Sequence, residues 1–136
     1  AQLENSGGAV LMLDLDGFKP VNDRYGHAMG DQILVRLADK LASAARATDV
    51  VARLGGDEFA ILCPKLQGED IEQFCSRLLT AVASAPADET PGCRLGGSIG
   101  IACYPRDGHS LEQLLSLADR AMYAAKNAGG HRWQIA

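Results

Sequence analysis

The stretch Gly8 to Leu15, GAVLMLDL, is apolar at almost every position and does not alternate, the pattern of a strand covered on both faces. Phe18 to Arg24 then reads as a short helical turn with Pro20 tolerated near its start, broken at Gly26-His27. From Asp31 onward Leu34, Leu37, Ala38, Leu41 and Ala45 recur at helical spacing, with Asp31 in the first turn, a favoured place for an acid. Two short apolar runs, Val50-Val51-Ala52 and Phe59-Ala60-Ile61-Leu62, flank a glycine pair and two acids. They predict a β-hairpin with Gly55-Gly56 at its tip, holding up Asp57 and Glu58.

A second amphipathic helix is expected over Glu69 to Ala85, with Ile71, Phe74, Cys75, Leu78 and Val82 on its buried face. The turn-rich ADETPG is expected as an exposed connection, followed by a strand from Cys93 to Tyr104. In that strand Ile99, Ile101 and Cys103 alternate with Gly100 and Ala102, so one face is bulky and the other bare enough for a helix or ligand to come close. Ser110 would cap a last helix bearing Leu111, Leu114, Leu115, Ala118, Met122 and Ala125, which stops at Gly129-Gly130. Trp133 to Ile135 can add a short final strand. This order describes an α/β sandwich: a mostly antiparallel central sheet flanked by helices.

At 136 residues, 1–136 is expected to be one domain, without internal repeat or low-complexity tract. A net charge of -4 gives no support to a nucleic-acid partner, so a nucleotide site would have to be built locally. No apolar run approaches the roughly 20 residues needed to cross a bilayer, so no membrane contact is expected of this stretch. Cys63, Cys75, Cys93 and Cys103 lie in apolar contexts without a close C-x-x-C pair, as expected of buried reduced thiols in a cytoplasmic protein.

The candidate chemistry is acidic. Asp14 and Asp16 would share one side of an extended strand, leaving only the carbonyl of Leu15 on that side; Asp16 could alternatively cap the next helix. If the first strand lies beside the hairpin, Asp14 joins Asp57 and Glu58. Three carboxylates in one pocket repel one another and any phosphate, and only a cation resolves this. Magnesium, which takes oxygen ligands shared between carboxylates and phosphates, suits such a cluster, with manganese as an alternative.

The segment RLGGDEF, preceded by LDLDGFKPVNDRYGHAMGD and followed by GGSIGIACYP and ADRAMYAAKNAGG, closely resembles the GGDEF family of diguanylate cyclases, from about Ala9 to the C-terminus. The resemblance implies a fold like that of nucleotidyl cyclases and polymerase palms. It also implies condensation of two GTP molecules, one on each of two facing domains of a homodimer, into cyclic di-GMP and pyrophosphate. By the same resemblance Asp14, the Leu15 carbonyl, Asp57 and Glu58 hold the metal, and Asp57 and Glu58 are catalytic. Asn22 and Asp31 read guanine, whose N1 and N2 donors and O6 acceptor match a carboxylate and a carboxamide. Taken alone, Asn22 is a helix cap and Asp31 a first-turn acid.

Lys19 and Lys126, with the backbone around Gly17 and Phe18, stand where the family keeps its phosphate contacts. Arg46 and Asp49, in R-x-x-D spacing, match the family's product-inhibition site, with Arg77 as a secondary contact; by local pattern the first two are an ion pair at a helix end. Two departures stand out. Gly130 occupies a position where the family often has arginine, with Arg132 displaced by two. The family's opening D-x-L-T-G-L-x-N-R segment is not found before Ala9, so a domain lacking that segment is expected, attached in its parent to sensory or effector domains. The alternative reading is a catalytically silent module that binds GTP or cyclic di-GMP beside another signalling domain such as a phosphodiesterase. A polymerase or adenylyl-cyclase relative is disfavoured by the guanine-reading pair.

Overall fold

The first apolar run forms β1 (Gly8–Asp16), the middle strand of a five-stranded sheet. In the computed structural model, which describes residues 7–86 and 90–136, β1 pairs antiparallel with β3 (Glu58–Cys63) and with β4 (Gly96–Tyr104). β2 (Val50–Gly55) lies outside β3, antiparallel, and β5 (Arg132–Ile135) lies outside β4, parallel. The sheet order is therefore β2-β3-β1-β4-β5. Ala9 to Leu13 are at most 4% exposed, because helices cover both faces of β1 and alternation would have no purpose there.

One face is covered by α1 (Phe18–Tyr25), α2 (His27–Ala44) and α3 (Asp70–Ser84). Phe18, Ile33, Leu37, Phe74 and Leu78 pack there with Leu11, Leu13, Phe59, Ile61 and Ile99. Each such enclosed side chain contributes about 1.5–3 kcal/mol relative to exposure. The other face carries α4 (Leu111–Asn127), whose Leu114, Ala118 and Met122 meet Val10, Met12, Ala102 and Tyr104. The bare position in β4 serves this contact: a Cβ at Gly100 would overlap the Ala118 carbonyl and the Met122 amide. A helix, rather than a ligand, uses the close approach.

Several local expectations shift. α2 begins at His27, directly after Gly26 in an extended positive-φ conformation, so Asp31 is its fifth residue and not in its first turn. β4 begins at Gly96 rather than Cys93, because Cys93 N–H closes a turn onto the Thr90 carbonyl at 3.1 Å. The connection before it falls partly on residues 87–89, outside the described residues, and Thr90 is buried rather than exposed. Ser110 holds the N-cap position of α4 without a side-chain cap hydrogen bond. Cys63 and Cys75 are buried free thiols, whereas Cys93 and Cys103 are half-buried.

Candidate active site

β1 and β3 bring their acids to one end of the sheet. The register places Asp14 opposite Glu58 on one side and opposite Ser98 on the other. Directly opposed residues share a face, here the face of α4. The hairpin turn is Gly56-Asp57, one residue later than the glycine pair suggests, because Gly55 still pairs with Glu58 across a bulge after Arg53. Gly56 takes φ +52, which a side chain would strain. The turn is tied on both sides: Leu15 N–H donates to the Asp57 carbonyl at 3.2 Å, and Arg53 Nε donates to the Gly56 carbonyl at 2.9 Å.

Burial and the adjacent Asp14 hold the Asp57 carboxyl above the usual carboxylate range, and burial with Asp119, Asp14 and Asp57 does the same to Glu58. The cation that answers this crowding is Lys126, from the last turn of α4. Its Nζ donates to Asp14 Oδ2 at 2.8 Å and to the Leu15 carbonyl at 3.3 Å, and lies 3.4 Å from Asp16 Oδ1. Burial opposes its charge, yet Asp14 and Asp16 keep its pKa above the ordinary lysine value.

Asp16 does not cap α1, whose N-cap is Gly17 in a left-handed conformation. Its carboxylate accepts the Ser98 hydroxyl at 2.9 and 3.0 Å and the His131 amide at 2.8 Å, tying β1 to β4 and to the turn after α4. Ser98 is fully buried, so this hydroxyl needs the partner it has. The sequence places Asp16 on the side of Asp14 but not its partners, and Ser98, Arg53 and Asp119 are not among the residues it singles out. The signal available for Ser98 was a single polar residue inside the apolar GGSIGIA run.

At the α1–α2 corner Asn22 comes against Gly30, the residue before Asp31. Asn22 Oδ1 is buried without a hydrogen-bond partner, and a Cβ at Gly30 would overlap it. Neither residue serves as a helix-end group. Asn22 is the fifth residue of α1 and caps no helix with its side chain, and Asp31 stands beyond the free N–H groups of α2. Phe18 is buried at the start of α1, with its ring edge also against Gly30. Lys19 is exposed and reaches Asp23 at 3.4 Å rather than the Asp14 cluster.

Arg46 and Asp49 form a closed turn instead of a side-chain ion pair. Arg46 N–H donates to Asp49 Oδ2 at 2.8 Å, and Asp49 N–H to the Arg46 carbonyl at 3.0 Å. Asp49 also faces Cys63, where burial first and this carboxylate second push the thiol pKa up. Arg77 lies over the Phe74 ring at 5.3 Å and lines a groove of about 630 Å³ between α2 and α3, together with Lys40, Ser43 and Thr80.

Among the described residues no three Asp, Glu, His or Cys side chains converge into a metal cage of their own. The groups around the Lys126 ammonium are nevertheless all oxygen acceptors, the carboxylates of Asp14 and Asp16 and the Leu15 carbonyl. Asp14 and the Leu15 carbonyl, with Glu58 paired to Asp14 and Asp57 bonded to Leu15, likewise offer only oxygens, which fits a hard divalent ion such as Mg2+ that ordinarily completes its shell with phosphate and water. The end of the sheet thus gathers the carboxylates of Asp14 and Glu58 and the turn that carries Asp57 under the Lys126 ammonium.

The family model described as "Diguanylate cyclase, GGDEF domain" matches residues 1–132. The chain is 43% identical over 121 residues to the bifunctional diguanylate cyclase/cyclic di-GMP phosphodiesterase MucR of Pseudomonas aeruginosa, covering 89% of this chain and 18% of MucR. The solved GGDEF domain of TpbB (YfiN) from the same species superposes with a TM-score of 0.87 at 39% identity, over 96% of this chain and 82% of that one. The GGDEF domain of DgcB from Caulobacter crescentus, solved in complex with c-di-GMP, superposes with a TM-score of 0.84 at 27% identity, over 95% of this chain and 77% of that one.

Proposed function

The chain belongs to the GGDEF family of diguanylate cyclase domains, and on that premise we propose that it condenses two GTP molecules into cyclic di-GMP and pyrophosphate at the interface of a homodimer. The observation that carries this reading is the pairing of Asp14 with Glu58 across β1 and β3, with Asp57 bonded through its backbone to Leu15 and Lys126 above them. Asp14, the Leu15 carbonyl, Asp57 and Glu58 would hold Mg2+, or Mn2+, together with the nucleotide phosphates. Held there, such an ion would supply charge stabilisation to an in-line phosphoryl transfer.

The chain's own residues do the rest. Asp57, carried on the hairpin turn that is bonded to Leu15, would receive the proton of the attacking 3′-hydroxyl. Lys126 and the N–H groups around Gly17 and Phe18 receive the triphosphate, and Asn22 and Asp31 orient guanine. Adenine would set an acceptor against the Asp31 carboxylate. Proximity then provides the remaining advantage, because one chain positions only one of the two reactants.

Product feedback through Arg46 and Asp49 belongs to this reading, since an arginine can pair bidentately with guanine O6 and N7; Arg77 would be the secondary contact. Further domains in the parent are part of it too, because the chain spans less than a fifth of MucR's length. No helix among the described residues is long and apolar enough to cross a membrane.

The test is incubation of the protein with GTP and Mg2+ over a range of protein concentrations, with chromatography of the products. Cyclic di-GMP formed faster than linearly in protein and lost in Asp57→Ala is the expected result. Calorimetric binding of GTP or cyclic di-GMP with no product at any protein concentration would instead make this a silent binding domain.

A further inference from the structure

Lys126 is not simply near the acidic end of the sheet; it occupies the position that end offers a cation. Its Nζ donates to Asp14 Oδ2 at 2.8 Å and to the Leu15 carbonyl at 3.3 Å, two oxygens of β1 that the metal reading of the site also calls on. An ammonium and a divalent ion that need the same oxygens exclude one another. Asp16 stands 3.4 Å away as a second anchor. It cannot follow the lysine, because Ser98 Oγ and His131 N–H hold its carboxylate and Gly130 closes off one side. A lysine on its flexible stem can move where a carboxylate so fixed cannot.

We propose that Lys126 is a built-in competitor for the metal, filling the oxygen-lined position between Asp14 and the Leu15 carbonyl until metal-bound nucleotide displaces it onto Asp16 and the triphosphate. This rests on the reading of that end of the sheet as a metal-dependent nucleotide site. Loading of the metal and delivery of the lysine to the phosphates are then one event. The acids are spared mutual repulsion before loading, and a divalent ion alone binds poorly, so the site selects metal already carried by a nucleotide.

The experiment uses Mn2+ as probe, without nucleotide, followed by loss of the free-ion electron paramagnetic resonance signal. In parallel the reactivity of Lys126 toward an amine-acylating reagent is read by mass spectrometry. In the wild-type protein Lys126 reactivity rises in step with bound Mn2+. Lys126→Gln binds Mn2+ at least about fivefold more tightly, as removal of a competing charge requires. Asp14→Asn raises Lys126 reactivity in the absence of Mn2+ and removes its response to the ion. Lys126 reactivity that stays flat while Mn2+ binds, or a Lys126→Gln affinity equal to wild type, overturns the proposal. Failure of the cyclase reading shows separately, as absence of product from GTP whatever the lysine does.

Discussion

Gly130 faces the carboxylate of Asp16 so closely that a Cβ at position 130 would lie 2.6 Å from Oδ2 and 3.0 Å from Cγ. The backbone there has φ +75, which already favours glycine. Asp16 cannot yield without releasing Ser98 and the His131 amide. The arginine expected from the resemblance therefore has no room in this chain. Gly130→Arg should lower unfolding free energy by about 1–3 kcal/mol in a denaturant titration and leave GTP affinity unimproved. Tighter GTP binding by calorimetry would show that Asp16 gives way.

Gly30 supports Asn22 in a comparable manner, by lacking a side chain. An alanine there would displace the Asn22 amide and crowd the Phe18 ring edge, 3.2 Å from the added Cβ. Alanine also favours a helix interior over glycine by about 1 kcal/mol, so the overall stability change should be small. Nucleotide binding has no such compensation. Gly30→Ala is expected to weaken GTP binding about tenfold while the melting temperature moves by only a few degrees, since displacing one good hydrogen bond is worth roughly 1–2 kcal/mol. Unchanged GTP affinity would remove Asn22 from the guanine site.

What the sequence could reveal followed from periodicity and spacing. The unbroken apolar run of β1, the repeating apolar stripe of α4 and the glycine-flanked acids each have a local cause, so the element order and the acidic end of the sheet were readable. Partnerships across long separations were not. Nothing near Asp16 says that it will bind Ser98, 82 positions away, or that Lys126, 112 positions from Asp14, will settle on it. A helix-cap reading of Asp16 was reasonable locally and failed because β4 and the turn after α4 supply better donors. The R-x-x-D pair failed as an ion pair for a similar reason: the carboxylate of Asp49 is engaged by a backbone N–H.

Asp107 provides a test of stability against pH away from the acidic site. Its carboxylate accepts the Cys103 amide at 2.8 Å and two Arg106 N–H groups at 2.9 and 2.7 Å, closing the turn after β4. The Arg106 hydrogen bonds lead in holding its pKa below the ordinary value; burial opposes them and the Cys103 amide adds to them. A carboxyl with a lowered folded-state pKa adds stability above its unfolded pKa and loses it as pH falls through the folded value. Asp107→Asn should therefore cost about 1 kcal/mol at pH 7 and progressively less below about pH 4. An equal deficit at pH 7 and pH 3 in denaturant titrations would contradict this.

Arg53 ties the hairpin turn that carries Asp57. Its Nε bond to the Gly56 carbonyl fixes the residue immediately before Asp57. β2 is an exposed edge strand, so truncation of Arg53 removes little packing. Arg53→Ala is expected to reduce kcat about tenfold with KM for GTP nearly constant and stability within about 0.5 kcal/mol of wild type. A rise in KM alone would assign Arg53 to substrate binding rather than to positioning of the turn.

Arg46 and Asp49 allow feedback to be separated from folding. The Asp49 carboxylate is committed to the Arg46 amide at 2.8 Å and faces the buried Cys63 thiol, whereas the bond at Arg46 uses its backbone and leaves its guanidinium out of it. Asp49→Ala thus removes an acceptor from a turn as well as a carboxylate from any ligand, and should cost about 1 kcal/mol of stability. Arg46→Ala keeps that turn bond, so its stability should match wild type within about 0.5 kcal/mol. If the pair grips the product, both variants should keep the initial rate of cyclic di-GMP formation and lose its suppression by added cyclic di-GMP. Suppression that persists unchanged in Arg46→Ala would place product control elsewhere. Suppression lost only in Asp49→Ala would mean that the turn, and not the ligand contact, carries it.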